Sequence, residues 1–340
     1  QTDIHKKKHP MNCSRLLTAI CVCVVQLSMS QQASIGAAAL INKQSILNDR
    51  AFFMFPEAAE NKSRGANLMS ADPNRNAETR IVLDIQDMRM VFFAQELYAT
   101  CNGNLLTQTA KDDRDDFKSR VLTTGDSLLS VLSTPLTFDT TQNAILVNTL
   151  LVKTADNSVF RISAYITPAA FKEKDEFMKL SECVFASLSK GSRNLNSRAR
   201  TETWPVYDGA KKFNITVPKG YIITKDAKYD FEVLKFHKLT EIGDTGFVSL
   251  IVYTGHHPSY FYTEQGFSST QAETIKGNFL DKKVEWLYFR DDTRKFYIKE
   301  QQIPYDKISE GTILHVAMLS DDPKSITELS AIVDKMTLEK

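Results

Sequence analysis

Apolar and polar positions alternate along this chain with two different periods, and the same succession of periods occurs twice. Residues 311–340, GTILHVAMLSDDPKSITELSAIVDKMTLEK, give a short alternating strand, a polar break and then apolar positions at helical spacing. Residues 159–191, VFRISAYITPAAFKEKDEFMKLSECVFASLSKG, follow the same plan. Within the two helices Phe177, Leu180, Cys183 and Val184 are matched by Ile326, Leu329, Ile332 and Val333 at a constant offset. The pattern predicts an α+β fold of two tandem units. Each unit is expected to be an antiparallel β-sheet flanked by helices, with a C-terminal amphipathic helix.

The rest of the chain fills in between. Residues 31–50 read as a lead-in with a short helical stretch. AFFMFP at 51–56 is a strand stopped by Pro56, which cannot continue a ladder. Residues 57–78 are polar and predict a loop. Residues 80–99 alternate as two strands joined near Gln86 and Asp87. Strands are also expected at 128–132, 144–153 and 159–166, the last two turned at Asp156 and Asn157. In the second half, 211–217 predicts a strand before Pro218, with further strands at 230–238, 246–254, 284–289, 295–303 and 312–319. Residues 271–280 read as a short helix. The last helix has Asp322 as its cap and Pro323 at its first position. The expected boundaries are a leader and signal peptide at 1–30, a first domain at 45–191, a linker at 192–205 and a second domain at 206–340.

The N-terminal stretch changes the picture of where the protein works. Met11 is the expected start, with Arg15 before an apolar run, LLTAICVCVV at 16–25. That run is too short to span a bilayer comfortably. Ser28 and Ser30 supply small residues for cleavage before Gln31. The expectation is an exported protein, periplasmic or extracellular, with no membrane span after cleavage. Two cysteines then remain. Cys101 and Cys183 suffice for one disulfide in an oxidising compartment; the alternative puts Cys183 on the buried helix stripe between Leu180 and Val184.

Charge excludes more than it suggests. The formal net charge is +1, with no basic stripe carrying interleaved aromatics, so no nucleic-acid partner is expected. The acidic run KDDRDDFKSR at 111–120 lacks the glycine and terminal Glu of a calcium loop and reads as a solvated face. No G-x-S-x-G elbow, dinucleotide-binding loop or Walker loop occurs, and no cofactor is expected.

One stretch concentrates candidate chemistry: Thr254-Gly255-His256-His257-Pro258-Ser259-Tyr260-Phe261-Tyr262. Adjacent histidines in a turn, joined by His315 from the last strand, are the weak candidates for a metal site, since imidazole suits zinc, copper or nickel. In an extended stretch His256 and His257 point to opposite faces, so only a turn could converge them. Tyr260, Phe261 and Tyr262 beside them are candidate binding residues, because aromatics on a loop often mark interfaces.

From Pro218 onward the order of features is similar to the PsbP/Mog1-like superfamily and its bacterial periplasmic or lipoprotein relatives: an alternating strand, Pro218-Lys219-Gly220-Tyr221, a meander of strands and a terminal amphipathic helix. The likeness covers 206–340 and, more loosely, 45–191, where Pro56 is followed by Glu57, Ala58 and Ala59 with no Gly and no aromatic. The resemblance implies an antiparallel sheet covered by helices and a non-catalytic role in binding or assembling a protein partner. The expected function is therefore an exported, non-catalytic protein that binds or helps assemble a partner in the cell envelope. The alternatives are a metal-binding module or hydrolase centred on His256 and His257, and a structural surface protein.

Overall fold

The computed structural model describes residues 34–62, 78–105, 120–124, 128–133, 137–139, 143–195, 197–206, 211–228, 230–244, 246–280, 282–305, 308 and 310–339. The expected leader at 1–30 and residues 111–119 of the acidic run lie outside them.

Each half begins with a hairpin. In the first, Leu40–Ile46 pairs with Ala51–Pro56. Leu47, Asn48 and Asp49 turn the chain with positive φ (50°, 53° and 66°). The hairpin gains a third strand from far away in sequence, Ser189–Lys190, which lies against Ala51 and Phe52. A large sheet follows, in the order Glu60–Asn61, Glu78–Ile85, Met88–Thr100, Ser158–Ile166, Ala144–Lys153, Leu128–Ser133, Arg120–Thr124. The helix Lys174–Ala186 packs its Phe177, Leu180, Val184 and Phe185 stripe into the same core as Phe53 and Phe55 of the hairpin and Phe92 of the sheet. The ring contacts run through the layers: Phe55 to Phe92 at 5.1 Å and Phe92 to Phe185 at 6.2 Å between centroids. Each such fully buried side chain contributes about 1.5–3 kcal/mol of burial.

The second half repeats this order of elements. Arg200–Pro205 pairs with Lys212–Val217, and Thr337–Leu338, after the last helix, joins as a third strand on Phe213 and Asn214. The seven-stranded sheet runs Tyr221–Lys228, Phe231–Lys238, Val248–Gly255, Ile313–Ser320, Phe296–Pro304, Lys282–Asp291, Glu273–Phe279, with every neighbour antiparallel. Because side chains alternate across a strand, its two faces carry separate cores. Leu234, Phe236, Leu250, Val252, Val316 and Met318 face the helix Pro323–Val333 and the small sheet. Phe231, Val233, Ile251, Ala317, Leu319, Ile298 and Phe289 form the other, back face. Burial on both faces explains why Ile313–Ser320 is interior almost throughout. Asp322 caps the last helix as expected, accepting from Lys324 N at 3.1 Å, with Pro323 first in the helix.

The expected fold class is corrected by these sheets. The described chain is 54% strand and 17% helix, arranged as four sheets with few helices, not as α+β units flanked by helices. The reason lies in the polar segments. Residues 200–205, assigned to a linker, and 273–279, assigned to a helix, are strands. Both lie at the edge of a sheet. Edge strands need no continuous apolar face, so neither shows one: Glu273–Phe279 is exposed at five of its seven positions. The lead-in holds its expected short helical stretch as a single 3₁₀ turn, Ile35–Ala37, and also a strand that was not expected, Leu40–Ile46.

The halves meet through a bulge. Strand Met88–Thr100 slips register against Ser158–Ile166 between Glu96 and Ala99, and Tyr98 takes φ 49°. A bulge re-aims side chains. Here the Tyr98 ring stacks on His237 of the second half at 3.8 Å and 9°. Burial and the nearby Lys235 push the His237 pKa well below its ordinary value, which favours the neutral form of the stacked ring. Beside it Thr240 and Glu241 pair in parallel with Ala99 and Thr100. The Glu241 carboxylate accepts from Asn102 N and Asn102 Nδ2, each at 2.9 Å.

A buried ionic cluster ties the segment after the first helix to the first sheet. Arg50, at the end of the opening hairpin turn, donates from Nε to Glu96 at 3.0 Å and from Nη2 to Ser158 Oγ. Leu195 N donates to Asp156 at 2.9 Å. Glu96 Oε1 has no partner among the described residues. Burial outweighs the Arg50 guanidinium and lifts the Glu96 carboxyl to about 7. Asp156 is the opposite case. Burial raises it, yet hydrogen bonds from Ser158 and Thr154, with Arg50, hold it below the usual carboxylate range.

Candidate functional site

The His-Pro-aromatic stretch closes over the back face of the second sheet. Its entry is fixed by Gly255, φ 152°, where a Cβ would sit 2.3 Å from Asp230 O. Only glycine lets the two strands pass so closely. His256 N then donates to that same carbonyl at 3.2 Å, and His257 takes φ 58°. The chain turns, runs across the sheet and ends its crossing in the short helix Phe261–Glu264.

A single buried carboxylate anchors the crossing. Glu300, fully buried on strand Phe296–Pro304, accepts from Phe261 N at 3.0 Å and Tyr262 N at 2.7 Å. His315 Nε2 lies 2.7 Å from the same carboxylate. The flanking glutamines complete the anchorage: Gln302 Nε2 donates to Pro258 O at 3.0 Å, and Tyr260 Oη donates to Gln301 at 3.0 Å. Burial, with the nearby Glu300, raises the Tyr260 phenol above its ordinary pKa. The rings then pack downward. Phe261 stacks on His315 at 5.2 Å, Tyr260 meets it edge-on at 5.6 Å, and Tyr262 stacks on Phe289 at 4.5 Å.

Where the crossing stops short of the sheet edge, a cleft of about 260 Å³ remains. Phe231 and Tyr253, 5.3 Å apart and nearly parallel, form its sheet wall, and Phe261 its lid wall. His257 and Ser259 lie exposed at the rim. Two carboxylates border it, Asp230 from the turn before Phe231 and Glu264 from the lid helix. Both are exposed.

The structure brings the expected binding residues His256, His257, Tyr260, Phe261 and Tyr262 into one crossing segment, with His315 beneath it. It does not gather the three histidines around a point. His256 Nδ1 is 3.1 Å from Gly311 O, His315 is engaged with Glu300, and the His256 and His257 rings are 6.3 Å apart. Among the described residues no three His, Cys, Asp or Glu side chains are placed to hold a metal ion. The disulfide that Cys101 and Cys183 could have made is likewise not formed. Cys101 is buried, its thiol 3.4 Å from Gly103 O, and Cys183 is exposed. The alternative, Cys183 on the buried stripe, also fails, because the stripe runs through Ser181 and Phe185 instead. Glu300, Asp230 and Glu264 were not singled out from the sequence. The signal for Glu300 was there: it shares a strand face with Ile298, and a carboxylate on an apolar face must have partners.

No protein-family model matches the sequence, and no curated protein is similar to it. Among solved structures, the immunity protein TplEi of T6SS from Pseudomonas aeruginosa, complexed with "L" peptide, aligns over 87% of this chain and 96% of that one, at 13% identity and a TM-score of 0.23. At that TM-score the likeness supports no inference about site or role. Nor does any family match support the resemblance to the PsbP/Mog1-like superfamily. Among the described residues no helix is long and apolar enough to cross a membrane.

Proposed function

We propose that this protein is a non-catalytic binding protein of an exported compartment, and that it holds a protein partner in the envelope at the back face of its second sheet. The observation that carries this reading is the division of labour in the crossing segment. The groups best suited to acid–base chemistry, Glu300 and His315, are spent on anchoring the segment to the sheet. What faces the cleft is mainly ring surface, Phe231, Tyr253 and Phe261 with the imidazoles of His256, His257 and His315, bordered by two carboxylates. A rigid aromatic surface on an immobilised loop suits recognition, since little conformational entropy is lost when it is covered. Export rests on the apolar run 16–25 with Ser28 and Ser30 after it, and the order of features in 206–340 that is similar to the PsbP/Mog1-like superfamily points the same way.

Site-specific photo-crosslinking tests the reading. A photoreactive residue at Ser259, on the cleft rim, is expected to yield a discrete adduct from an envelope extract, competed away by unmodified protein. The same residue at Lys172, exposed in the first half, is expected to yield none. Absence of a competable adduct at Ser259, or an equal adduct at both positions, refutes it.

A further inference from the structure

We infer that the cleft beside the crossing segment receives a single arginine side chain of the partner, an assignment that rests on the reading above. Three observations converge on it. The first is charge. Asp230 and Glu264 both line the cleft, one from the turn that opens strand Phe231–Lys238 and one from the lid helix. No lysine or arginine lines the cleft, its other titratable lining groups being His256, His257 and His315, and neither carboxylate is paired with a lysine or arginine among the described residues. An occupant that complements this border is a cation.

The second is the nature of the walls. Phe231, Tyr253 and Phe261 surround the cleft, and the first two are held as a stacked pair. Aromatic faces attract cations through their quadrupole. A guanidinium also stacks as a flat, weakly hydrated group and can bond to a carboxylate with two parallel N–H donors, which an ammonium cannot. The third is size. At about 260 Å³ the cleft falls below the roughly 300–1,000 Å³ of sites that enclose drug-sized ligands. It has room for one extended side chain. Val233 and Ile251, deeper on the same face, give the methylene stem an apolar bed.

The test is calorimetric titration of the chain from Gln31 with a blocked tripeptide, acetyl-Gly-Arg-Gly-amide. Its citrulline isostere, which keeps the shape and loses the charge, and methylguanidine, which keeps the charge and loses the peptide, are titrated beside it. The arginine peptide is expected to bind at least tenfold more tightly than the citrulline peptide and more tightly than methylguanidine. Asp230→Asn/Glu264→Gln, both at exposed positions, is expected to lower its affinity roughly 10- to 100-fold, taking each of the two bonds as a factor of about three to ten. Equal binding of the citrulline peptide, unchanged binding by the double variant, or no binding of the arginine peptide at millimolar concentration overturns the assignment. Methylguanidine binding as tightly as the peptide overturns its assignment to a partner's side chain in favour of a free small cation. A competable Ser259 adduct that survives in the double variant keeps the partner and removes the arginine. Arginine-selective, carboxylate-dependent binding without any adduct does the reverse.

Discussion

Glu300→Ala isolates what fixes the crossing segment. Three donors lose their acceptor at once: Phe261 N, Tyr262 N and His315 Nε2. A buried donor left unsatisfied costs about 1–3 kcal/mol, more beside a charged partner. Truncation also opens a polar space next to the cleft, and water entering it recovers part of that cost. The net loss is therefore about 3–4 kcal/mol, near the lower end of what breaking a buried ionic contact costs. It falls on the segment and not on the sheet, because the aromatic contacts of Tyr262 and Phe267 with Phe289 remain. Local opening then becomes cheaper than global unfolding. Amide hydrogen exchange measures this directly. Protection at Phe261 and Tyr262 is expected to fall by roughly 10²–10³, since each 1.4 kcal/mol is a factor of ten. Amides of the central strand Ile313–Ser320 are expected to change far less, and Glu300→Gln, which keeps one carbonyl acceptor, is expected to fall between. Exchange at Phe261 and Tyr262 unchanged within a factor of three in a folded variant would refute the reasoning. So would an equal loss at the central strand, which would mean that Glu300 supports the sheet and not the loop.

Further outcomes follow from other sites. Burial lifts Glu96 from its ordinary 4.5 to about 7, so the folded state holds its proton more tightly than the unfolded chain. The stability this provides is complete below about pH 4.5 and is lost as pH rises through 7, up to about 3 kcal/mol. Urea unfolding at pH 5 and pH 8 is expected to show a smaller fall for Glu96→Gln than for the wild type; equal falls would remove Glu96 as the cause. Asp322→Ala deletes the cap bond to Lys324 N and is expected to destabilise the second half by about 1 kcal/mol in denaturant unfolding, with Asp322→Asn close to wild type. In a chain beginning at Gln31, a thiol reagent is expected to modify Cys183 promptly. Cys101, buried and with its thiol pKa raised by that burial, is expected to react only on unfolding; prompt reaction of both, or of neither, contradicts the placement.

How much of this was legible in the sequence depends on where each segment sits. Central strands rich in apolar residues announced themselves: Phe231–Lys238 and Ile313–Ser320 fall within a residue or two of their expected limits. The helix at Pro323–Val333 was legible because its cap, its proline and its stripe agree. Arg200–Pro205 was not, because RTETWP buries no residue fully and is a strand only by virtue of its partner Lys212–Val217. Glu273–Phe279 was misread because Ile275 and Phe279, four apart, fit a helix as well as a strand. The site divides the same way. The candidates His256, His257, Tyr260, Phe261 and Tyr262 lie within seven consecutive residues and stand out in the sequence, whereas Phe231 and Tyr253 of the cleft wall do not. Nor was the anchor legible, because Glu300 reaches His315 only through the pairing that sets Gln302 opposite His315, and strand register between distant segments is a tertiary property. Asp230 belongs to the cleft for a similar reason: the close approach of Gly255 brings it there.

The short third strands have a consequence for the order in which the protein can be made. Ala51–Pro56 waits for Ser189–Lys190, and Lys212–Val217 waits for Thr337–Leu338. Neither small sheet can be completed until the ribosome has passed the helix that precedes its last strand. The first half therefore reaches a closed state while the second is still being synthesised, as expected of units that fold in sequence. The second half cannot close before residue 338 is translated. A chain stopped at Lys335 is expected to keep the first half folded, while Phe213 and Asn214 are left with a bare sheet edge. That delay leaves the second half open to unfolding and to pairing at its bare edge for longer than the first.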